Sequence, residues 1–280
     1  MDVEEAFQII AEMGDDPESY ENELTRHDGA YEELIRRAGI LHGSRVLELG
    51  CGTGPVTVKL AQRLGPKGYV AGIDVNQEML KIAKEKKDRL GLLNLELTEM
   101  NMEKLRFPDN SFDHVISSFG ICCCFYYDKT LREACRVLRP GGKITYNHEG
   151  PRSSDASQAF DRIFAKYKTN NPSEKLKKKR EADSLQSGMW DKYGDPFIAV
   201  PQMRKVGFKN PEASIAGFSL VFQTPEEFID YSVAGSLEFS EMGPRDQAKF
   251  RKECSDALKE FLVEEKLVTN EPLIFYTGYK

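Results

Sequence analysis

Apolar and polar positions follow two rhythms along this chain, and the switches between them mark out its elements. Tyr31, Leu34, Ile35 and Ala38 recur at spacings of three and four, which predicts a lead-in helix over residues 17–40, with Gly39 near its stop. Arg45-Val46-Leu47-Glu48-Leu49 is a short apolar run and predicts a strand. It ends in Gly50-Cys51-Gly52-Thr53-Gly54, after which Pro55 to Leu64 has helical spacing closed by Gly65. Tyr69 to Val75 predicts a second strand, and Met79, Leu80, Ile82 and Ala83 form the apolar face of a helix from about Gln77 to Leu90. A third strand is expected near Leu95 to Thr98 and a fourth from Phe112 to Ser118, after the turn Pro108-Asp109-Asn110-Ser111. A helix from Lys129 to Leu138, stopped by Pro140-Gly141-Gly142, leads to a fifth strand, Lys143 to Asn147. Strands alternating with helices at this spacing predict an α/β fold: a parallel sheet with right-handed crossovers and helices on both faces.

From Pro151 to about Asp195 the pattern becomes polar, lysine-rich and helical, with Lys175 to Arg180 as a charged run and Trp190 as the sole tryptophan. This predicts an insertion over the sheet, and the lysine run reads as a solvated helix face, with a lure for acidic or membrane-surface substrates as the minority reading. Met203 to Phe208 ends a helix, and alternating residues continue through Leu220. Thr224 and Pro225 are the cap and first turn of another helix. A long helix over about Asp246 to Glu265 precedes a final strand, Pro272 to Tyr279, and no fixed-period repeat is visible.

Composition narrows the class. The 280 residues are 40% hydrophobic and 30% charged, as expected of a globular protein rather than a disordered or membrane-embedded one. A net charge of -6 argues against a general nucleic-acid binder and for a small-molecule partner. The acidic start MDVEEAFQIIAEMGDD has neither the basic nor the apolar region of a signal peptide, and the apolar stretch Val115 to Tyr127 is too short to span a membrane, so a cytoplasmic location is expected. The six cysteines lack paired C-x-x-C spacing and are expected to be reduced thiols.

A glycine-rich turn between a first strand and a helix lets the backbone approach a ligand and directs amide groups at it. The dinucleotide fingerprint fails, because its last position falls on Pro55 or Thr57, and no Gly-Lys-Ser/Thr follows as a P-loop requires. What remains is a turn for a nucleoside with a short polar tail. Asp74, ending the second strand, supplies a carboxylate for two ribose hydroxyls, and ribose without pyrophosphate points to S-adenosylmethionine.

Four segments then occur in order: Val46 to Gly54, Gly72-Ile73-Asp74, Phe107 to Asp113, and Arg136 to Gly142. Together they resemble the class I S-adenosylmethionine-dependent methyltransferases, in the branch that includes the quinone C-methyltransferases. The likeness covers about residues 30 to 150. It implies a Rossmann-like, doubly wound, seven-stranded and mostly parallel sheet completed by an antiparallel strand at Pro272 to Tyr279. It also implies a single methyltransferase domain over 1–280. Within that domain lie a cofactor-binding core at 30–150, helical cap insertions at 151–200 and 223–268, and sheet strands in 201–222 and 269–280. By the same resemblance Glu48, Gly50, Cys51, Gly52 and Gly54 meet the methionine end of S-adenosyl-L-methionine, and Asp74 holds the ribose. Val75 and Met79 pack near the adenine, and Asn101, followed by Met102, stands where the family has an acidic residue and meets the adenine amino group. Ser118 or Phe119 lies beside the sulfonium.

Other residues carry competing meanings. Asp74 could also cap the helix after it. His148 and Glu149 end the fifth strand where either could serve as a general base or be a solvated pair. Tyr20 matches a tyrosine that closes over the cofactor, or simply packs. Phe125, Tyr126, Tyr127 and Trp190 could wall an apolar acceptor pocket. Cys122, Cys123 and Cys124 could ligate a soft metalloid such as arsenite as an alternative methyl acceptor. Neighbouring side chains in an extended chain diverge, however, and small buried hydrophobes fit them better. Ser117-Ser118-Phe119-Gly120 replaces the Asn/Asp-Pro-Pro-Tyr of amino-methylating DNA enzymes. The expected function is therefore methyl transfer by in-line displacement to a small apolar or aromatic acceptor, with no metal. A second class of function is binding the cofactor without catalysis.

Overall fold

The computed structural model describes residues 1–12, 17, 21, 24–150 and 154–280. In chain order its elements are α1 (Val3–Glu12), α2 (Asp28–Ala38), β1 (Arg45–Leu49), α3 (Pro55–Leu64), β2 (Tyr69–Asp74), α4 (Gln77–Arg89), β3 (Leu95–Glu99) and β4 (Phe112–Ser117). There follow α5 (Tyr127–Val137), β5 (Leu138–Glu149), α6 (Asp155–Tyr167), α7 (Glu174–Gly194), α8 (Pro196–Val206) and β6 (Lys209–Phe222). The last are α9 (Pro225–Val233), α10 (Leu237–Ser240), α11 (Pro244–Leu258), β7 (Leu262–Val263) and β8 (Lys266–Tyr279).

The sheet runs in the order β3-β2-β1-β4-β5-β8-β6, with β7 paired to β8 off this path. β1 through β5 pair in parallel, and β8 runs antiparallel to β5 from Lys143↔Tyr279 to Glu149↔Leu273. The order reverses between β1 and β4, and at such a switch point ligands sit outside the carboxyl ends of the strands. The predicted α/β architecture is what the chain adopts. Four residues of β1 and four of β2 are buried, as expected of strands covered on both faces, which read as near-continuous apolar runs.

Several boundaries differ from the sequence expectation. β5 starts at Leu138, so Pro140-Gly141-Gly142 lies inside a strand. Phe112↔Leu138 is followed by His114↔Lys143, so the intervening residues of β5 bulge out of the ladder. The long C-terminal helix is Pro244–Leu258, shorter than the 246–265 expected. Leu262↔Leu267 and Val263↔Lys266 make a hairpin whose two turn residues, Glu264 and Glu265, have φ of 49° and 65°. Positive φ at both positions matches the strand twist of a two-residue hairpin. Thr224 caps α9 through Glu227 N–H, as its sequence position predicts.

The chain divides into two compact units. One comprises Asp28–Glu149, Ser184–Ala216 and Leu273–Lys280, and its core includes Leu47, Ile73, Phe112, Val115, Ile144, Tyr146 and Tyr276. The other comprises Met1–His27, Gly150–Asp183 and Gly217–Pro272, around Phe160, Phe222, Phe228, Phe250 and Leu258.

Candidate active site

The turn after β1 is shaped by contact with the loop after β4. Gly50 has φ 69°, and a Cβ placed there would lie 2.9 Å from the Cα of Gly120; one on Gly120 would lie 2.4 Å from the carbonyl oxygen of Leu49. Neither position admits a side chain, so the two backbones touch at the carboxyl edge of the sheet. Ser117 fastens the same junction: its Oγ donates to Leu49 O at 2.7 Å and accepts from Ile121 N–H at 3.0 Å.

The amides of the turn do not all face a ligand, which corrects the expectation from sequence. Cys51 N–H donates to Ile73 O at 2.9 Å, Gly52 N–H to Asp74 Oδ2 at 2.8 Å, and Gly54 N–H to Cys51 O at 2.9 Å. The turn is thereby tied to β2. Asp74 Oδ1 also accepts from Asn76 N–H at 2.9 Å. Burial raises the Asp74 pKa, opposed by the amides of Asn76, Gly52 and Val75. A carboxylate has about four lone-pair sites, so both oxygens keep capacity for further donors such as vicinal hydroxyls. The cap of α4 is Asn76, whose Oδ1 accepts from Glu78 and Met79 N–H, and not Asp74.

Unpartnered polar atoms gather on this side. Glu48 is 1% exposed, and its Oε2 has no hydrogen-bond partner among the described residues; neither do Thr53 Oγ1 and Thr57 Oγ1. Burial pushes the Glu48 carboxyl well above its ordinary range, with the nearby Asp74 charge adding to it, and burial likewise raises the Cys51 thiol. A buried carboxyl oxygen left without a donor costs stability, and a ligand amine or hydroxyl would supply what is missing. Val75 is half-buried and Met79 is buried on the first turn of α4. Asn101 accepts from Glu103 N–H at 2.8 Å through Oδ1, which leaves that oxygen one further lone pair. Met102 Cε reaches the Gly50 turn, 3.4 Å from where a Cβ would stand.

Beyond the turn, Ser118 is buried with its Oγ unpartnered among the described residues. Phe119 adopts a left-handed φ of 55°, and its N–H donates to Asn147 Oδ1 at 2.7 Å. Ile121–Cys123 is a short 3-10 turn, so the cysteine run is not extended. Cys122 and Cys124 are buried and Cys123 is exposed. The Cys123 contact, with the sulfurs 3.9 Å apart, and then burial push the Cys122 thiol up, and burial takes Cys124 to about 12. Among the described residues no group of three or more His, Cys, Asp or Glu is placed to hold a metal ion. Glu103 Oε1 receives the N–H groups of Phe125 and Tyr126 at 3.0 and 2.9 Å, which sets the entry to α5.

A small cavity opens between Ile121, Cys122, Cys124, Tyr127, His148 and Tyr193. His148 is 3% exposed, with Nδ1 2.8 Å from Glu149 O, whereas Glu149 is exposed. Tyr193 stacks on Tyr127 at 4.1 Å, and the Tyr127 hydroxyl meets that of Tyr146. Of the aromatic residues expected at an acceptor pocket, Tyr127 lines this cavity, Phe125 is buried in the loop before α5, and Tyr126 is exposed. Tyr20 lies outside the described residues, as does the side chain of Trp190. Thus Glu48, Gly50, Cys51, Gly52, Gly54, Asp74, Val75, Asn101, Met102, Ser118 and Phe119 occupy the carboxyl ends of β1 to β4 and the loops after them, with Met79 on the first turn of α4 and His148 and Glu149 ending β5. Sequence reasoning missed Ser117, Tyr193 and Asn147, single residues whose roles appear only once the strands are paired.

Residues 2–171 match the model of the ubiE/COQ5 methyltransferase family. The chain is 40% identical over 131 residues to the ubiquinone/menaquinone biosynthesis C-methyltransferase UbiE of Pseudoalteromonas translucida, covering 46% of this chain and 52% of that protein. It is 40% identical over 133 residues to the demethylmenaquinone methyltransferase of Listeria welshimeri, covering 47% and 56%. The match spans about half the length of these curated relatives. Its fold is similar to that of Haemonchus contortus phosphoethanolamine N-methyltransferase 2, with a TM-score of 0.56 and 19% identity over 90% of this chain and 52% of that one. With more than half of its length matched by the family model and the glycine turn, Asp74 and Glu48 assembled at one sheet edge, the chain belongs to the ubiE/COQ5 methyltransferase family.

Proposed function

We propose that the chain is an S-adenosylmethionine-dependent methyltransferase acting on a small aromatic acceptor of the hydroquinone or phenol class. The observation that carries this reading is the convergence, at the carboxyl edge of β1 and β2, of a turn closed to a side chain at Gly50, a carboxylate anchored on that turn and a buried carboxyl whose Oε2 lacks a partner among the described residues. These residues fit the cofactor: Asp74 accepts its ribose hydroxyls, and Glu48 Oε2 with Thr53 and Thr57 takes donors of its methionine end. Gly50, Cys51, Gly52 and Gly54 bring backbone against it. Val75, Met79 and Met102 supply apolar contacts to the adenine, and Asn101 Oδ1 accepts from its amino group. Ser118 and Phe119 flank the reacting end.

When bound, the sulfonium supplies an activated methyl group with a good leaving group already attached. The protein's part is then alignment and the exclusion of water. Ile121, Cys124, Tyr127 and Tyr193 line a small cavity and offer apolar and aromatic surface beside the acceptor. His148, buried on the wall of that cavity, receives the acceptor's proton; Glu149 is the exposed alternative. Tyr20 closing over the cofactor, the insertions at 151–200 and 223–268 choosing the acceptor, and a cytoplasmic location belong to the same proposal. The relatives named for demethylmenaquinone support the acceptor class, and the charge of -6 supports a small molecule over nucleic acid. Among the described residues no helix is long and apolar enough to cross a membrane.

The test is transfer of a labelled methyl group from S-adenosylmethionine to a panel of hydroquinone, phenol, amine and thiol acceptors. Transfer to the hydroxyaromatic members is expected. Tight cofactor binding with no transfer to any acceptor would favour a non-catalytic binding protein, and no cofactor binding would overturn the whole reading.

A further inference from the structure

We propose that Gly194 is a positioning residue for methyl transfer: lacking a side chain, it lets the backbone at the end of α7 seat the imidazole of His148, and Tyr276 latches that backbone in place. The proposal rests on the reading of His148 as the group that receives the acceptor's proton, and names what orients it.

The ring is fixed from two sides. His148 Nδ1 stands 2.8 Å from Glu149 O, and a carbonyl oxygen can only accept, so Nδ1 carries the hydrogen and Nε2 the lone pair. Nε2 is thereby the nitrogen able to take a proton. A Cβ placed on Gly194 would lie 2.9 Å from Cε1, 3.2 Å from Nδ1 and 3.5 Å from Nε2 of that ring, and these are the three nearest atoms it would meet. The backbone itself does not ask for glycine. Gly194 is the last residue of α7 and its φ lies outside the left-handed region, where alanine is the better helix former. It is the imidazole that excludes a side chain. His148 is 3% exposed, so a ring pushed aside by a methyl group has to turn within packed surroundings, which disturbs the Nδ1 hydrogen bond and re-aims Nε2.

The segment that carries Gly194 is anchored to the sheet. The Tyr276 hydroxyl donates to Gly194 O at 3.1 Å and to Tyr193 O at 3.4 Å. Burial and the Asp195 charge raise its pKa above the ordinary range, which keeps it protonated and donating. Tyr276 is fully buried and its ring stacks on Tyr146 at 4.8 Å. Tyr276 pairs with Tyr146 and Ile274 with His148, so alternation along the two strands puts Tyr146, His148 and Tyr276 on one face of the sheet. The same latch holds Tyr193, which stacks on Tyr127 beside the cavity that His148 lines. One hydroxyl thus sets both the aromatic wall and the seat of the imidazole. A misplacement of about 1 Å in such a group costs on the order of a hundredfold in rate.

The experiment is a double-substitution cycle. Anaerobic methyl transfer to 1,4-dihydroxynaphthalene is measured for wild type, Gly194→Ala, His148→Ala and the combined variant, with S-adenosylhomocysteine affinity and urea unfolding on the same four proteins. Gly194→Ala is expected to lower kcat by about tenfold or more, with acceptor KM and S-adenosylhomocysteine Kd within about twofold of wild type. In the His148→Ala background the same change should alter kcat by less than about twofold, because the ring it displaces is gone. Tyr276→Phe, which removes the latch and keeps the stacked ring, should lower kcat by roughly three- to tenfold with KM and Kd likewise held. An equal loss in both backgrounds means that residue 194 acts on the structure at large and overturns the proposal. So does Gly194→Ala with the kcat of wild type, or with its loss in cofactor affinity. His148→Ala that keeps full turnover removes the proton-accepting role and the proposal with it, whereas turnover lost in His148→Ala and kept in Gly194→Ala removes Gly194 alone. Should wild type transfer no methyl, the catalytic reading fails and the urea midpoints decide the seat. Gly194→Ala should lower the midpoint of wild type and not that of His148→Ala, and equal lowering in both overturns the contact.

Discussion

At the scale of single residues, the site is held in a costly state that a ligand would relieve. Glu48 is fully buried, and burial raises its folded pKa above the ordinary 4.5, so the folded chain binds that proton more tightly than the unfolded chain does. Its penalty is absent below about pH 4.5, where both states are protonated, grows as pH rises from there towards the raised folded value, and is complete above it. Glu48→Gln is therefore expected to melt higher than wild type at neutral pH without ligand, by about 2–4 °C for each kcal/mol relieved, and to match it near pH 4. Thermal scans across pH check this; a gain that persists at pH 4 would contradict it. The same substitution should weaken S-adenosylhomocysteine binding, since the amide places a donor where the ligand brings one. For Asp74→Ala, titration calorimetry should record at least a tenfold loss of affinity, about 1.4 kcal/mol, with the fold retained. Unchanged affinity would remove Asp74 from the ribose. Both carboxyls were legible in the sequence because one precedes a glycine turn and the other ends the next strand. Asn147 was not, because a lone polar residue in an apolar strand acquires meaning only when pairing sets it beside Ser118 and Phe119 N–H.

Among the elements, the decisive contact is between the turn after β1 and the loop after β4. A methyl group on Gly120 would meet Leu49 O at 2.4 Å, Ser117 Oγ at 2.8 Å and Gly50 Cα at 3.0 Å, so Gly120→Ala must push the two loops apart. A loss of about 1–3 kcal/mol in urea unfolding is expected, together with weakened cofactor binding. Gly141 is the control: its φ is 80°, but nothing lies within 4 Å of a Cβ there. Gly141→Ala should cost about 1–2 kcal/mol from the left-handed backbone alone and leave S-adenosylhomocysteine affinity unchanged. If both variants bind equally well, the loop contact does not shape the site. Two of the segments that carried the family resemblance turn out to be fasteners. Asp113 Oδ2 accepts from Arg45 N–H at 2.8 Å, and Arg136 grips Asp109 and Phe107 O, each at 2.8 Å. Their spacing was readable, but their mechanical role was not, because it depends on β4 lying beside β1. The helix expected to reach Glu265 failed for a different reason. Glu264 and Glu265 are good helix formers, and nothing in their residue type signals the left-handed turn they adopt.

On the scale of the whole molecule, the chain maintains two cores, and the proposed site draws its named residues, apart from Tyr20 and the insertions, from one of them. Sequence periodicity located the sheet core well because parallel strands are continuous apolar runs. The second core is assembled from aromatic residues as far apart as Phe160, Phe222 and Phe250, which no local window connects. Phe250 is fully buried, with Phe160, Phe164, Tyr167 and Phe239 ring centroids between 5.4 and 5.8 Å away. Phe250→Ala should therefore cost about 3–5 kcal/mol and lower the calorimetric melting of that unit. S-adenosylhomocysteine at a hundred times its Kd should stabilise the protein by about 2.7 kcal/mol through the sheet unit. If the cofactor groups all belong to that unit, the Kd measured well below the melting temperature should stay within twofold of wild type in Phe250→Ala. A Kd that rises more than tenfold while far-ultraviolet circular dichroism is intact would mean that residues of the second core take part in holding the cofactor. The division of labour between the two cores would then have to be abandoned.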